Sequence, residues 1–193
     1  MAGIANPLSV NAIYGEIKAH GMKIAKDELY TWLQNACDIY LLQRVPRFSR
    51  SFAKQEAALA KYYVIDNGIR NAVIPVQSDD DGKQLENTVY LELLRRKGGN
   101  EAISFWQGRG ECDFVLSEDE NVRRLVQVAW KMDEDSPAGR KTRKREIDGL
   151  TEAAESLGCG DLTIVTHDEE ATIREQGHEI KVIPAWKWCL GRG

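Results

Sequence analysis

Carboxylates at strand spacing are the residues of this sequence that could do metal chemistry. Glu111 and Asp113 lie two residues apart in the apolar run ECDFVL, and Glu86 lies at the start of the segment LENTVYLELL. Residues two apart on a strand share one face, so Glu111 and Asp113 are predicted to point the same way. Carboxylate oxygens are the ligands that Mg²⁺ prefers, and such a cation activates water and neutralises phosphate. The alternative for each carboxylate is an ordinary salt bridge.

A second strand-like run, RRLVQVAWKM, offers an amide and an amine. Gln127, Ala129 and Lys131 alternate along it and are predicted to share a face. Lys131 lies one face-repeat beyond Ala129, a shift of about 6 to 7 Å along a strand. Two carboxylates, one amide and one amine could therefore converge on one place.

The elements that must position these residues follow from hydrophobic periodicity. A polar loop is predicted for Pro75–Lys83, followed by a helix with Leu85, Val89 and Leu93 inward. The runs EAISFWQG, ECDFVLS and RRLVQVAWKM, separated by short turns, predict an antiparallel meander. A charged helix from about Gly139 to Leu157 and the strands LTIVTHD and IKVIPAW complete the chain. The pattern predicts an α/β fold with a mixed central sheet flanked by helices.

Residues 1–61 are predicted to form a winged-helix-type module, and residues 62–193 the main domain. Two segments, SVNAIYGEIKAHG and AKDELYTWLQNACDIYLL, repeat apolar residues at helical spacing. LLQRVPRFSRS alternates apolar and basic residues around Pro46, and KYYVIDNGI indicates a strand ending in an Asn-Gly turn, which together favour a two-stranded wing. Arg44, Arg47 and Arg50 on this wing are the predicted DNA contacts. The alternative is a helical hairpin that only packs on the main domain.

A basic run opens the charged helix. Positive charge is disfavoured at a helix N-terminus, so something must compensate it. One candidate is a phosphate backbone, which makes the run a predicted nucleic-acid contact. The other is neutralisation by the nearby acids Asp133, Glu134, Asp135 and Glu146. The residues of the run are Arg140, Lys141, Arg143, Lys144 and Arg145.

The order of these elements resembles the PD-(D/E)XK nuclease superfamily, whose core is restriction-endonuclease-like. More specifically, the segments KYYVIDNGIRNA, LENTVYLELLRRKG, ECDFVL, VQVAWKM and IKVIPAWKWCL resemble the uncharacterised C-terminal domain of a family of prokaryotic AAA-type ATPases, along essentially the whole chain. The resemblance implies that Glu86, Asp113 and Gln127 are metal ligands, with Glu111 auxiliary and Lys131 a candidate catalytic amine. This sequence departs from the nuclease pattern in its tripeptide, because Gln127 replaces the acid and Ala129 replaces the lysine.

Composition limits the remaining possibilities. The 193 residues carry a formal net charge of −4, so DNA binding must come from local patches. No GxxxxGK[S/T] motif is present, so this chain has no P-loop ATP site. The four scattered cysteines indicate reduced thiols, and the absence of long apolar runs indicates a cytoplasmic protein without membrane partners. The predicted function is a nuclease-like domain that cleaves DNA with Mg²⁺ or Mn²⁺ or only binds it. The alternative is a catalytically inactive interaction or regulatory domain that partners an ATPase module or another protein.

Overall fold

A six-stranded mixed sheet flanked by helices forms the body of the molecule. The computed structural model describes residue 7 and residues 10–51, 59–73, 80–132 and 135–191. The helices are α1 (Val10–Ala19), α2 (Lys26–Asp38), α3 (Asn67–Val73), α4 (Asp81–Arg96), α5 (Pro137–Leu157) and α6 (Ala185–Cys189). The strands are β1 (Leu42–Pro46), β2 (Ala60–Val64), β3 (Glu101–Gln107), β4 (Glu111–Glu118), β5 (Asn121–Ala129), β6 (Leu162–Thr166), β7 (Ala171–Glu175) and β8 (His178–Pro184).

The strand order in the large sheet is β3-β4-β5-β6-β8-β7, and β1 pairs with β2 in a separate two-stranded sheet. Strands β3, β4 and β5 form the predicted antiparallel meander. Strands β5, β6 and β8 run parallel, as expected for strands joined through helical or long connections. The predicted α/β class, with a mixed central sheet flanked by helices, is confirmed.

Two apolar clusters hold the helices against the sheet. In one, the predicted inward residues of α4 are buried together with residues of β4 and β5: Leu85, Val89 and Leu93 with Phe114, Val126 and Val128. In the other, α5 is buried together with β5, β6 and β8: Ile147, Leu150 and Ala154 with Leu125, Ile164 and Ile180. Such burial is the main stabilising term of an α/β fold. It fixes α4 and α5, which both carry residues of the site described below.

Strand β2 pairs with β1 and also contributes to the core. Four of its five residues are buried, and Tyr63 and Val64 join the cluster around α4. The amide of Asn87 on α4 accepts from Val64 N at 2.9 Å and donates to Val64 O at 3.0 Å, as a neighbouring strand would. The predicted boundary between residues 61 and 62 falls inside this strand. The winged-helix interpretation of the N-terminal part stays a prediction.

Three predictions of local structure were wrong. The Asn-Gly pair at Asn67 begins α3 instead of making a turn, because Asp66 Oδ1 accepts from Ile69 N at 2.9 Å and caps the helix. Helix α4 begins at Asp81, inside the predicted loop, of which residues 75–79 lie outside the described part of the chain. The strand predicted for IKVIPAW ends at Pro184, and its last two residues begin α6 instead.

Strand β7 was not predicted. It pairs with β8 as an edge strand, and its residues are exposed or half-buried, so it lacks the apolar alternation that identifies a strand.

All four cysteines are free thiols, as predicted. Among the helices in the described residues, none is both long enough and apolar enough to cross a membrane.

Candidate active site

A buried lysine surrounded by three carboxylates forms the centre of the candidate site. Lys61 Nζ lies 3.0 Å from Glu86 Oε1, 2.7 Å from Glu111 Oε1 and 2.8 Å from Asp113 Oδ1. The Lys61 side chain is 1% exposed, whereas that of Glu111 is 32% exposed and connects the group to solvent. We call these four residues the Lys61 cluster. The structure thus brings together the three carboxylates that the sequence predicted, around an amine that it did not.

Strand alternation explains how residues of three elements meet here. Lys61 and Tyr63 are two apart on β2 and both contact Glu86 of α4, the tyrosine hydroxyl donating to Glu86 Oε1 at 2.7 Å. Glu111 and Asp113 are two apart on β4 and both contact Lys61, which confirms their predicted common face.

The electrostatics of the cluster follow from burial and from its surplus of acids. Burial by itself would lower the pKa of Lys61, but the charges of Asp113, Glu86 and Glu111 outweigh it and raise that pKa well above its ordinary value. Burial, followed by the neighbouring Asp113 charge, raises the pKa of Glu86 to about 8. Lys61 is therefore held as an ammonium, and at pH 7 Glu86 is mostly protonated, so the charge of Lys61 faces the carboxylates of Glu111 and Asp113.

Gln127 bonds the backbone of Asp113 and lines the same pocket as the carboxylates of the Lys61 cluster. The described ladder between β4 and β5 ends at the pair Phe114 and Val126, and side chains satisfy the backbone beyond it. Asp113 N donates to Gln127 Oε1 at 3.0 Å, and Val128 N donates to Asp113 Oδ2 at 3.0 Å. Gln127 therefore supports Asp113 through the backbone, and its role as a metal ligand stays a prediction.

A further buried carboxylate lies behind Gln127. Glu146 of α5 accepts from Gln127 Nε2 at 2.6 Å and from Arg145 Nε at 3.0 Å, and its side chain is 8% exposed. Burial is the main cause of the raised pKa of Glu146, and the Asp113 charge adds to it while Arg145 opposes it. Glu146 was expected only as a neutralising neighbour of the basic run, and it also contacts the site.

An open pocket of about 880 Å³ gives access to these groups. Its lining includes Glu86, Glu111, Asp113, Gln127 and Glu146, together with the cationic residues Lys83, Arg109, Lys131 and Arg145. Lys131 is exposed at this lining, and strand β5 ends two residues before it. Because Lys131 lies outside the strand, the two-residue alternation of β5 does not determine which way its side chain points.

The basic run lies beside the pocket, and several of its charges are paired. Arg143 contacts Glu175 at 2.8 Å, Lys144 contacts Asp148 at 2.7 Å, and Arg145 contacts Glu146. Lys141, Lys144 and Arg145 line a neighbouring hollow of about 600 Å³, which shares Arg109, Gly110 and Arg145 with the main pocket. Arg140 is exposed on the same helix. Of the expected neutralising acids, Asp133 and Glu134 lie outside the described residues.

The predicted DNA contacts of the N-terminal part are placed differently from one another. Arg47 donates to the carbonyl of Gln107, beside the isolated bridge that joins Arg47 to Phe105 of β3. Arg44 is half-buried on β1, and Arg50 is exposed in a bend. Arg47 thus ties the N-terminal part to the large sheet, and DNA contact by these three residues stays a prediction.

A close approach of α5 to β4 keeps Glu146 near Glu111. A Cβ atom on Gly149 would lie 2.4 Å from Glu111 O and 3.2 Å from Glu111 N, which are both backbone atoms. Only glycine lets the helix come this close to the strand.

We expect Gly149→Ala to lower the free energy of unfolding by about 1–3 kcal/mol, because the added methyl group must push α5 away from β4. Gly15→Ala is the matched control, since a Cβ atom there meets no atom within 4 Å in α1. That change should stabilise the protein by about 0.5–1 kcal/mol. Urea denaturation measures both, and a Gly149 variant as stable as the wild type would contradict the close approach.

The chemistry of the site suits a divalent cation, although its present arrangement is built around Lys61. Among the described residues, no group of three or more His, Cys, Asp and Glu side chains is arranged to hold a metal ion. The donors are nevertheless carboxylate oxygens, which Mg²⁺ prefers. Because the pKa of Glu86 is about 8, at pH 7 the charged acids Glu111, Asp113 and Glu146 face two paired cations, Lys61 and Arg145, an excess of one negative formal charge. Binding of a divalent cation would favour the ionised form of Glu86, and its two charges, with those of the two paired cations, would then balance the four carboxylates, so the residues fit such an ion if the Lys61 amine moves aside.

Sequence reasoning missed Lys61, Tyr63 and Glu146. The signal for Lys61 was a lysine within the apolar strand AKYYV, since a buried lysine needs counter-ions. Glu146 gave no usable signal, because it is one of many charged residues on α5.

Comparisons with known proteins give relatives without an assigned activity. A family described as "Domain of unknown function (DUF8612)" matches residues 2–80. An uncharacterized protein of Methanocaldococcus jannaschii is 30% identical over 195 residues, covering 96% of this chain and 41% of that protein. An uncharacterized protein of Haemophilus influenzae is 30% identical over 104 residues, covering 54% of this chain and 24% of that protein. The chain thus spans less than half the length of these relatives. No solved structure matches it significantly.

Proposed function

We propose that this chain is a nuclease-type module that cleaves DNA phosphodiester bonds with the help of Mg²⁺ or Mn²⁺. The observation that carries the proposal is the position of Lys61 Nζ, within 3.0 Å of Glu86, Glu111 and Asp113 at an open pocket. Carboxylates for a cation and an amine beside them are the groups that this hydrolysis requires. Lys61 would supply from β2 the amine that Ala129 lacks on β5.

The roles of the residues follow from their contacts. Glu86, Glu111 and Asp113 would hold the cation, which when bound activates water and neutralises charge on the phosphate. Lys61, kept protonated by its carboxylate neighbours, would donate hydrogen bonds to orient the phosphate or the water rather than remove a proton. Arg109 and Arg145 at the pocket lining would contact the DNA backbone.

Cleavage of DNA tests the proposal directly. Duplex, branched and single-stranded DNA are incubated with wild type and with Asp113→Asn in Mn²⁺, and the melting temperature of each protein is recorded with and without the cation. We expect the wild type to cleave at least one substrate, and the variant to be about 100-fold slower, a loss of about 2.7 kcal/mol in transition-state stabilisation. Asp161→Asn is the matched control, since Asp161 pairs with Arg124 away from the pocket.

Two results would overturn the proposal. One is a wild type with neither cleavage nor a melting shift in Mn²⁺ or Mg²⁺. The other is full cleavage by a folded Asp113→Asn protein, which would place the activity elsewhere.

A catalytically inactive interaction or regulatory domain that partners an ATPase is the second candidate. The observation that favours it is that Lys61 already pairs with all three carboxylates, as in a purely structural ion-pair network. The relatives are more than twice as long as the matched region, which leaves room in them for a further module. Failure of the wild type to bind the cations would favour this candidate.

A further inference from the structure

The amide at position 127 has a fixed orientation. A carboxylate can only accept hydrogen bonds, so the Gln127 NH₂ group must face Glu146. The Gln127 carbonyl then has to face the Asp113 N–H, as it does at 3.0 Å. A glutamate at position 127 would instead set two carboxylates 2.6 Å apart. Gln127 is therefore the complement of Glu146 and not an arbitrary replacement for an acid.

Glu146 is built into the site from both sides. Arg145 holds one of its oxygens and Gln127 the other, and the residue lines the same pocket as Glu111 and Asp113. The tight packing of Gly149 against Glu111 fixes α5 at this distance from β4. Glu146 thus places a negative charge behind the strand position where the nuclease pattern has its acid.

We propose that Gln127 and Glu146 act together in place of an acidic residue at position 127. Glu146 supplies the negative charge that attracts the cation. Its hydrogen bond also fixes the Gln127 amide, whose oxygen accepts from Asp113 N and so holds Asp113 in position. Glu146 is a positioning residue in this arrangement, since it acts through Gln127. The inference rests on the proposed function and extends it, because it concerns how the same site binds Mg²⁺ or Mn²⁺.

An exchange of the two side chains tests the pair. The affinity for Mn²⁺ is measured by calorimetry on the wild type, Glu146→Gln, Gln127→Glu and the double variant, with melting temperatures of the cation-free proteins as a check on folding. Glu146→Gln should weaken Mn²⁺ binding by about 10-fold or more, as changes behind ligating groups do. Gln127→Glu should lower the melting temperature through repulsion with Glu146. The double variant restores the charge and the hydrogen bond, and should bind within about 3-fold of the wild type, a difference of about 0.7 kcal/mol.

The matched control is Asp148→Asn, which removes the same charge from the same helix at a residue paired with Lys144. It should change the affinity by no more than about 2-fold, or about 0.4 kcal/mol. Unchanged affinity in a folded Glu146→Gln protein, or a double variant as weak as Glu146→Gln, would overturn the inference while leaving the proposed function standing. A wild type that binds no Mn²⁺ would overturn both.

Discussion

Replacing Lys61 with methionine is expected to lower the free energy of unfolding at pH 7 by about 3–5 kcal/mol, as breaking a buried ion pair from one side does. The side chain is 1% exposed and lies within 3.0 Å of three carboxylates, so solvent does not screen the loss. Methionine fills a similar volume, and the packing change is small by comparison. The loss therefore measures the uncompensated charge and the unpaired hydrogen-bond acceptors that are left beside the missing ammonium.

The pH dependence identifies the cause. The pKa of Lys61 is raised in the folded protein, so its stabilising contribution is fully present below its ordinary value of 10.5 and is lost only as the pH rises through the higher folded pKa. The variant lacks this contribution, and it keeps the buried Glu86, whose folded pKa is raised by burial to about 8 even with Lys61 present and therefore lies above its unfolded value. Its stability should thus fall as the pH rises from about 4, the ordinary carboxylate pKa. The difference from the wild type should be smaller at pH 4.5 than at pH 7.

Urea denaturation at these two pH values measures the effect. Lys131→Met is the matched control, because Lys131 is exposed at the pocket lining, and its loss should stay within about 0.5 kcal/mol. Mn²⁺ should raise the melting temperature of Lys61→Met more than that of the wild type, since the cation no longer competes with an ammonium. Equal destabilisation at both pH values, with no extra Mn²⁺ shift, would mean that Lys61 contributes through packing alone.

The predictable part of the fold is the part whose signals are local. Helix α4, the meander of β3, β4 and β5, and helix α5 each repeat apolar residues at their own period and end in turn residues, so the sequence alone located them. The exposed edge strand β7 has no such repeat. The start of α3 was missed because Asp66, one residue before the Asn-Gly pair, caps a helix there.

The site was predictable only within single strands. The two-residue spacing of Glu111 and Asp113 placed both on one face, which the structure confirms. Lys61 of β2 lies 52 residues before Asp113 in the chain, so no local sequence pattern links the two residues. The role of Gln127 was equally hidden, because its orientation depends on Glu146 of α5, 19 residues away. Contacts between distant segments depend on packing, and one sequence does not state them.

The side chain of Asn87 bonds the backbone of β2 as a neighbouring strand would. It thereby helps to fix β2, and with it Lys61, against α4. The Asn87 side chain is fully buried, with Oδ1 accepting from Val64 N and Nδ2 donating to Val64 O and, at 2.9 Å, to Asn67 Oδ1. These bonds fasten β2 and the start of α3 to α4, next to the contact between Lys61 and Glu86. Asn87→Ala should therefore lower the free energy of unfolding by about 3–5 kcal/mol, since two backbone groups lose their partner in the core and each costs about 1–3 kcal/mol.

Hydrogen exchange distinguishes this clamp from general destabilisation. The Val64 amide proton should lose more protection in Asn87→Ala than amide protons in the middle of β4, because its acceptor is the deleted side chain. Asn71→Ala is the matched control: Asn71 bonds the half-buried Gln84 and the buried Arg70, and Arg70 keeps its ion pair with Asp80, so the loss should cost about 1 kcal/mol. An unchanged protection of Val64 would contradict the clamp. If the clamp holds Lys61 in register with Glu86, Asn87→Ala should also weaken Mn²⁺ binding, whereas Asn71→Ala should not.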